Sequence, residues 1–398
     1  MKRNNANIAR IIILTLMAAV FSCNGFKNNE ALFPAKKGDK WGYINIKGDF
    51  VIAPQFDCAF EFSEGLAGVC VGNKAGFINK KGELVINPQY DNVGNFKDGL
   101  ATVETNGMFG FIDKNGILVI NQVFDFMYDD GVFSEGMIPV NINGKWGYYN
   151  NKGQLVVKPQ FDYACDFSEG LADVEINGKL GFINKDGKMI IEPQFIGSPY
   201  GYSFSDGMAA VRLNDKYGYI NKDGKFVIAP QFEEAFPFSE GIAFVREKAG
   251  ESVRISDNEW GYVKGKGYLI NKTGKRLNNI LFDEVKKFSE GLACVEINGK
   301  WGYIDTKGNL VINPQFDNAS DFSEGLAVVG VGHEGPESKR DGYIDKKGKF
   351  VINPQFNSAS PFVNGLAEVT FYNENGFRIC YINKNGEIVA EWEQKYNH

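Results

Sequence analysis

One phrase returns ten times along this chain, at intervals of about 34–40 residues from Leu32 onward. Such a recurrence limits the fold more than length does, because each copy must be one small structural unit. A clear copy runs LACVEINGKWGYIDTKGNLVINPQFDNASDFSEG, from Leu292 to Gly325. Its central glycine recurs at Gly42, Gly76, Gly110, Gly147, Gly181, Gly218, Gly267, Gly302 and Gly342, and Cys380 stands there in the tenth copy. A P-Q-F/Y element recurs at Pro54, Pro88, Pro159, Pro193, Pro230, Pro314 and Pro354.

Each unit reads as three short strands. L-A-x-V-x-x alternates as a half-buried strand does. N-G-K turns the chain, since Asn-Gly accepts the positive φ angles of a hairpin. W-G-Y-I is the second strand. N/D-K-x-G closes an Asx turn, and L-V-I is the third strand, ended by proline, which lacks a ladder donor. In the connector Q-F-D-x-A-x-x-F-S-E-G, the three-residue spacing of Phe316, Ala319 and Phe322 predicts one tight helical turn that plugs the gap between units. A lone meander cannot cover its own apolar face, so neighbours must stack. The fold class expected is all-β: about ten three-stranded antiparallel units in an open, superhelical, solenoid-like stack. A β-propeller is the alternative, although propellers typically have four to eight four-stranded blades.

The repeat resembles that of the bacterial WG-repeat proteins, through Trp41-Gly42, Trp146-Gly147, Trp260-Gly261 and Trp301-Gly302. Ala75, Phe109, Leu180, Tyr217 and Asp341 stand where other copies have Trp, but the period holds. The resemblance covers roughly residues 31–392. It implies an extracytoplasmic β-repeat scaffold and little about chemistry.

The amino terminus reads as an address. Lys2, Arg3 and Arg10 precede an apolar run over residues 11–21, as in a secretory signal. That run is about half of what spans a bilayer. Val20-Phe21-Ser22-Cys23 resembles a lipobox, which would make residues 1–22 the signal peptide, Cys23 the lipidated first residue and 23–30 a tether. Residues 393–398 form a tail. The expected location is the bacterial cell envelope, at the periplasmic face or the cell surface, with the outer membrane favoured and the lipid as the only membrane contact. Formal charge is −6, and about −9 without the basic leader. No basic stripe is available to displace counterions from nucleic acid. Cys58, Cys70, Cys165, Cys294 and Cys380 are an odd set without C-x-x-C spacing, and read as small buried apolar side chains rather than a disulfide framework or metal site.

Recurrent polar positions have two readings each. The acids of F-S-E-G (Glu64, Asp98, Glu135, Glu169, Asp206, Glu240, Glu290, Glu324) form either a cation-binding ladder or a turn bonded to nearby backbone amides; the turn is favoured. The Asp113-Lys114-Asn115-Gly116 loop has too few carboxylates for calcium. The W-G-Y aromatics form either a sugar platform or, preferably, cross-strand packing. With only His333 and His398, no Ser-His-acid or Cys-His set is suggested, and no carboxylate pair stands apart from the repeat. Neither an enzyme nor a cofactor is expected.

Breaks in the repeat carry more functional information. Extra residues enter the first turn of three late units, at 246–259, 330–340 and 371–378. Insertions confined to one edge often mark a binding face. The candidate binding residues there are Arg246, Glu247, Lys248, Arg254, Asp257, His333, Glu334, Lys339, Arg340, Tyr372 and Arg378. Two smaller insertions, 126–132 and 197–202, lie in connectors. The expectation is a non-enzymatic lipoprotein that binds an unknown protein partner, with glycan binding as the alternative.

Overall fold

The computed structural model describes residues 31–124, 133–196, 202–248, 251–256, 259–263, 265–332, 340–373 and 376–395. Strands and turns make up these residues, with no helix among them. Unit eight shows the plan. Leu292–Ile297, Lys300–Asp305 and Leu310–Phe316 pair antiparallel in chain order, as the sequence predicts. A fourth strand, Glu284–Val285, comes from the preceding connector and pairs with the first. The connector is therefore no helical turn. Its Asp283 and Lys286 amides donate to the carbonyls of Glu296 and Cys294, which already commits that backbone to a ladder. Phe316, Ala319 and Phe322 still share one core, on extended backbone rather than a helix.

Both tight turns use the same geometry. In N-G, Asn143 and Gly144 have φ of 53° and 78°; in E-G, Glu135 and Gly136 have 53° and 76°. Positive φ at both central residues matches the twist of flanking strands. The wider N/D-K-x-G loop closes as predicted: the Asn45 side-chain oxygen accepts the amides of Lys47 and Asp49.

The third strand continues through its proline. Trp301 pairs with Phe316, but Tyr303 pairs with Ile312, so the intervening residues form a bulge that contains Pro314. This bulge folds over the central glycine. A Cβ on Gly302 would lie 2.4 Å from the Ile312 carbonyl oxygen and 2.7 Å from the Pro314 nitrogen. The strand is an edge in most units, and a proline bulge also blunts an edge against further pairing. Unit seven departs here. Val245 pairs with Tyr268, as Val295 pairs with Gly302, so Tyr268 and not Gly267 holds the central position. Unit ten has Cys380 there. Neither unit has a proline in the following strand; unit seven keeps the register shift, with Gly267 opposite Phe282 and Ile270 opposite Arg276, whereas unit ten pairs without a shift from Ile379 to Tyr381.

Cores form between units. Tyr43, Ile52 and Phe56 of unit one pack with Ala67, Val69 and Ile78 of unit two. The two ends of the array meet in the same way: Tyr381 and Trp392 of unit ten pack with Phe33, Ala35 and Ile44 of unit one. Among the described residues no backbone ladder joins the end units, as in an open stack. Their faces nevertheless pack together, as neighbouring blades do.

Candidate functional site

Six of the eight F-S-E-G acids bond to the next unit, Glu64, Glu135, Glu169, Asp206, Glu290 and Glu324. The Glu135 carboxylate accepts the amide of Gly170, the glycine of the next F-S-E-G, at 3.0 Å. Lys185 binds both the Glu135 carboxylate (3.1 Å) and its carbonyl (2.8 Å). Burial pushes this carboxyl up, but Lys185 and the Gly170 and Glu169 amides outweigh it and hold the group below its usual range. Glu64, Glu169, Glu290 and Glu324 make the same contacts. The serine completes the clasp, since Ser134 Oγ donates to the Phe167 carbonyl of the next plug. The turn reading therefore holds, but its bonds run to the next unit and not to nearby amides. A second link uses the connector acid: Asp162 accepts both Lys145 and the Asn177 amide of the next turn. The Lys145 hydrogen bond, then the Asn177 amide, draws its pKa down.

The W-G-Y aromatics are poor sugar platforms. Tyr43, Tyr148, Tyr219, Tyr303 and Tyr343 are fully buried, and Trp146 is buried. Trp301 is half-buried beneath the Lys286 ammonium, 4.7 Å from its ring. Trp260 is no repeat tryptophan: with Gly261 it lies in an inserted hairpin, Glu251–Ser256 paired with Glu259–Val263.

The late insertions share one corner, the turn between first and second strands in units seven, nine and ten. Unit seven adds that hairpin, with Arg254 opposite Trp260. Unit ten lengthens both strands to 8 residues, Leu366–Asn373 and Gly376–Asn383. Asp257, His333, Glu334 and Lys339 lie outside the described residues, as do Cys23 and nearly all of the two connector insertions. Arg246 is a correction. It is only 2% exposed, ion-paired to Glu234, donates to the Asp283 carbonyl at 2.7 Å, and packs 4.8 Å over Phe244. It holds the interior of the unit and is not a loop residue. Glu247 and Lys248 are exposed. Glu247 accepts the Tyr268 hydroxyl at 2.5 Å, and burial followed by this bond pushes that hydroxyl up to about 12. Arg340 begins a strand opposite Val331. Tyr372 is exposed, and Arg378 pairs with Glu391 at 3.3 Å while covering Phe371.

The cysteine reading also needs correction. Cys58 and Cys70 form a disulfide, because the connector strand places them directly opposite each other. Cys165, Cys294 and Cys380 are free thiols, and burial raises their pKa values, Cys294 to about 12 and Cys380 to about 11.

The seam between the end units holds a cleft that the sequence reading missed. Among the described residues nine connectors join the ten units. Elsewhere the connector's plug stacks on the central aromatic of the preceding unit, as Phe62 does on Tyr43 at 4.8 Å and Phe362 on Tyr343 at 4.8 Å. Beside Tyr381 stand Phe33 and Trp392, each with its ring centre 5.6 Å away, and Phe33 takes the place where other units have a small alanine such as Ala67. A cleft of about 90 Å³ remains. Ser360 and Pro361 wall one side, Glu61 and Phe62 the other, and Tyr381 and Glu368 line its base. Burial raises both carboxyls, and the Glu61 charge raises Glu368 further. The available signal was the departure of an end copy from the pattern, with Phe33 in place of alanine.

Comparisons place this architecture. The crystal structure of a eukaryotic initiation factor superposes with a TM-score of 0.51 at 10% identity, covering 92% of this chain and 96% of that one. Apo AztD from Citrobacter koseri gives 0.35 at 9% identity, covering 92% and 96%. Hsv2p from Kluyveromyces lactis gives 0.36 at 9% identity, covering 66% and 95%. The structural neighbours are β-propellers, and at these identities they speak to fold alone. No curated protein sequence matches the chain. The WG-containing repeat pattern matches residues 41–74, 76–108, 109–146, 146–179, 181–217, 217–249, 269–301, 301–332 and 342–374. With nine matched repeats spread over most of its length, the chain belongs to the WG-containing repeat family.

Proposed function

We propose that the chain is a non-enzymatic scaffold that binds another protein at the cell envelope, anchored by a lipid on Cys23 once residues 1–22 are removed. The observation that carries this reading is the shared corner of the late insertions. The recurrent residues have structural partners; the hairpin at Glu251–Val263 and the lengthened strands around Tyr372 and Phe377 stand outside that plan. An apolar ridge also supports a protein partner. Val51, Val85, Val156, Val227, Val311 and Val351 repeat one exposed position on the third strands of units one, two, four, six, eight and nine. Repeated apolar exposure of this kind marks contact surfaces. Export is supported by the Cys58–Cys70 disulfide, a bond that persists in oxidising compartments.

The test keeps Arg246 and replaces residues 249–264 by an Asn-Gly turn. Pull-down from envelope extracts should lose a partner that the intact chain retains, with an unchanged circular dichroism spectrum. Equal capture by both chains counts against this corner. Labelling with a palmitate analogue should mark the intact precursor and not its Cys23→Ala variant.

A further inference from the structure

One end of the strands carries a mixed chemistry that the clasps do not use. The loop between second and third strands runs Lys-Gly-x-apolar-Val in five units: Lys47 to Val51, Lys81 to Val85, Lys152 to Val156, Lys307 to Val311 and Lys347 to Val351. Unit six holds the same chemistry with the lysine shifted, at Lys225 and Val227. The valines form the exposed ridge, and the six lysines are exposed and outside the ion pairs of the described residues. Over the six loops, at 45–49, 79–83, 150–154, 221–225, 305–309 and 345–349, ten lysines stand against five acids. Two of them, Lys222 and Lys346, neutralise the clasp acids Glu169 and Glu290, which leaves eight against five. Of the F-S-E-G acids at this end, Asp98 and Glu240 alone stand outside the clasps among the described residues. The ridge is thus lined by positive charge on a chain whose net charge is −6.

Neighbouring units bring the two kinds of side chain together. The loop glycine of one unit rests on the third strand of the unit before: a Cβ on Gly82 would lie 3.0 Å from Ile52, and one on Gly348 would lie 3.0 Å from Ile312. Those isoleucines directly follow Val51 and Val311. These two valines are therefore bordered by their own lysine loop and by the next, through Lys81 and Lys347. Every ridge valine is the second residue of its strand, so it sits behind the loop by about 3.3 Å per residue. A flat surface such as a bilayer meets the lysines first and leaves the valines uncovered. An extended chain laid across the loops reaches both, with carboxylates on the ammonium groups and apolar side chains between them. The long lysine stems add apolar cover to such a contact.

We propose that this face receives an extended acidic segment of a partner protein, with its Asp or Glu side chains on the loop lysines and its apolar side chains on the valines. Contacts repeated from unit to unit act on one tethered chain, so each can be weak while the whole is tight. The proposal rests on the protein-binding reading and names the chemistry of one partner segment. It also gives that reading a second surface, because these loops lie at the opposite end of the second strand from the insertion corner.

The probe is a library of random dodecapeptides displayed on phage and selected on the immobilised mature chain. Recovered sequences should be enriched in Asp and Glu beside Leu, Ile, Val or Phe. The most frequent one, made as a labelled peptide, should bind at least tenfold more weakly to the variant Lys47→Gln, Lys81→Gln, Lys307→Gln, Lys347→Gln. It should bind several-fold more weakly to the variant Val51→Ser, Val85→Ser, Val311→Ser, Val351→Ser. Added salt should weaken binding to the native chain. Unchanged thermal unfolding of both variants, whose altered side chains are exposed, separates lost binding from lost fold. The chain with residues 249–264 replaced should select the same peptides, so failure of this face and failure of the insertion corner are told apart. Recovery of sequences without acids, or binding indifferent to both variants, overturns the proposal. It is also overturned if phosphatidylglycerol vesicles bind the Cys23→Ala chain through these lysines while no acidic peptide does, since the face would then belong to lipid.

Discussion

Trp41 of the first unit and Trp392 of the last meet edge to face, with ring centres 5.7 Å apart. The contact joins opposite ends of the sequence, so it tests whether the array behaves as one body. Trp392 is buried, and truncating it removes a large part of the seam core. Trp392→Ala should lower stability by about 3 kcal/mol or more. It should also split a single denaturant transition into two, as the end units unfold ahead of the middle. A single transition with unchanged midpoint would show that the seam contributes nothing to cooperativity.

The central glycine allows a sharper comparison. At Gly302 a methyl group would strike backbone atoms of Ile312, Ala-sized space being absent, whereas at Gly299 nothing lies within 4 Å but φ is +76°. Gly302→Ala should therefore destabilise by about 3 kcal/mol or more, through displacement of the bulge. Gly299→Ala should lose only about 1 kcal/mol, from left-handed backbone strain. Urea midpoints of the two variants decide it; equal losses would refute the close-approach argument.

The disulfide closes a loop with sequence separation 12. A loop of that size is worth roughly 3 kcal/mol in chain-entropy terms. Reduction, or Cys58→Ser with Cys70→Ser, should lower the urea midpoint accordingly. Thiol counting on the unfolded, unreduced Cys23→Ala chain should find Cys165, Cys294 and Cys380 reactive and this pair silent.

Two sets of acids respond to pH with opposite sign. Asp57, Asp91 and Asp162 have lowered pKa values, chiefly from hydrogen bonds to Lys40, Lys74 and Lys145. A lowered folded pKa gives stability that is present above the unfolded value, near 3.9, and lost as pH falls through the folded value. Glu61 and Glu368 are raised by burial, so they favour the fold below the unfolded value, near 4.3, and this is lost as pH rises through their folded values. Glu368→Gln should therefore raise the melting temperature at pH 7–8 and leave it nearly unchanged at pH 4. A variant that melts lower at pH 7 would contradict this sign.

Breaking one clasp should be mild and local. Glu135→Ala leaves the Gly170 amide and Lys185 without their carboxylate, a loss of about 1–2 kcal/mol. Hydrogen exchange should quicken at Gly170 and its neighbours while units eight to ten stay protected. Uniform quickening along the chain would argue against local coupling.

Much of the fold is legible in the sequence because it depends on near neighbours. Asn-Gly turns, Asx loops and strand alternation each need only a few adjacent residues, and all recur as expected. What was hidden depends on distant backbone. The acid of F-S-E-G looks like a local turn residue, because its main partner, a glycine amide 35 residues on, has no side chain to announce it. The disulfide was hidden because Cys58 faces Cys70 only when the connector is a strand. Arg246 looks like a surface cation, since its partners Glu234 and the Asp283 carbonyl come from two different connectors. The seam cleft is lined by residues from both ends of the array, and is visible only once those ends stand together.

The clasps have a consequence for how such a chain can change its length. Six acids accept the glycine amide of the next clasp, Glu64, Glu135, Glu169, Asp206, Glu290 and Glu324, so an extra copy inserted beside these units would find its partners. At the seam the terms differ. Ile46 stands where other units have the clasp lysine, and it abuts Gly365, which follows Asn364 and not an acid. Units four and eight also lack the lysine, with Asn151 and Thr306 in its place, but among the described clasp glycines Gly365 alone meets an apolar side chain. Duplication can therefore supply new members, but each one must leave Ile46 and Gly365 able to meet, so copy number is limited by the angle between neighbours and not by the join between members.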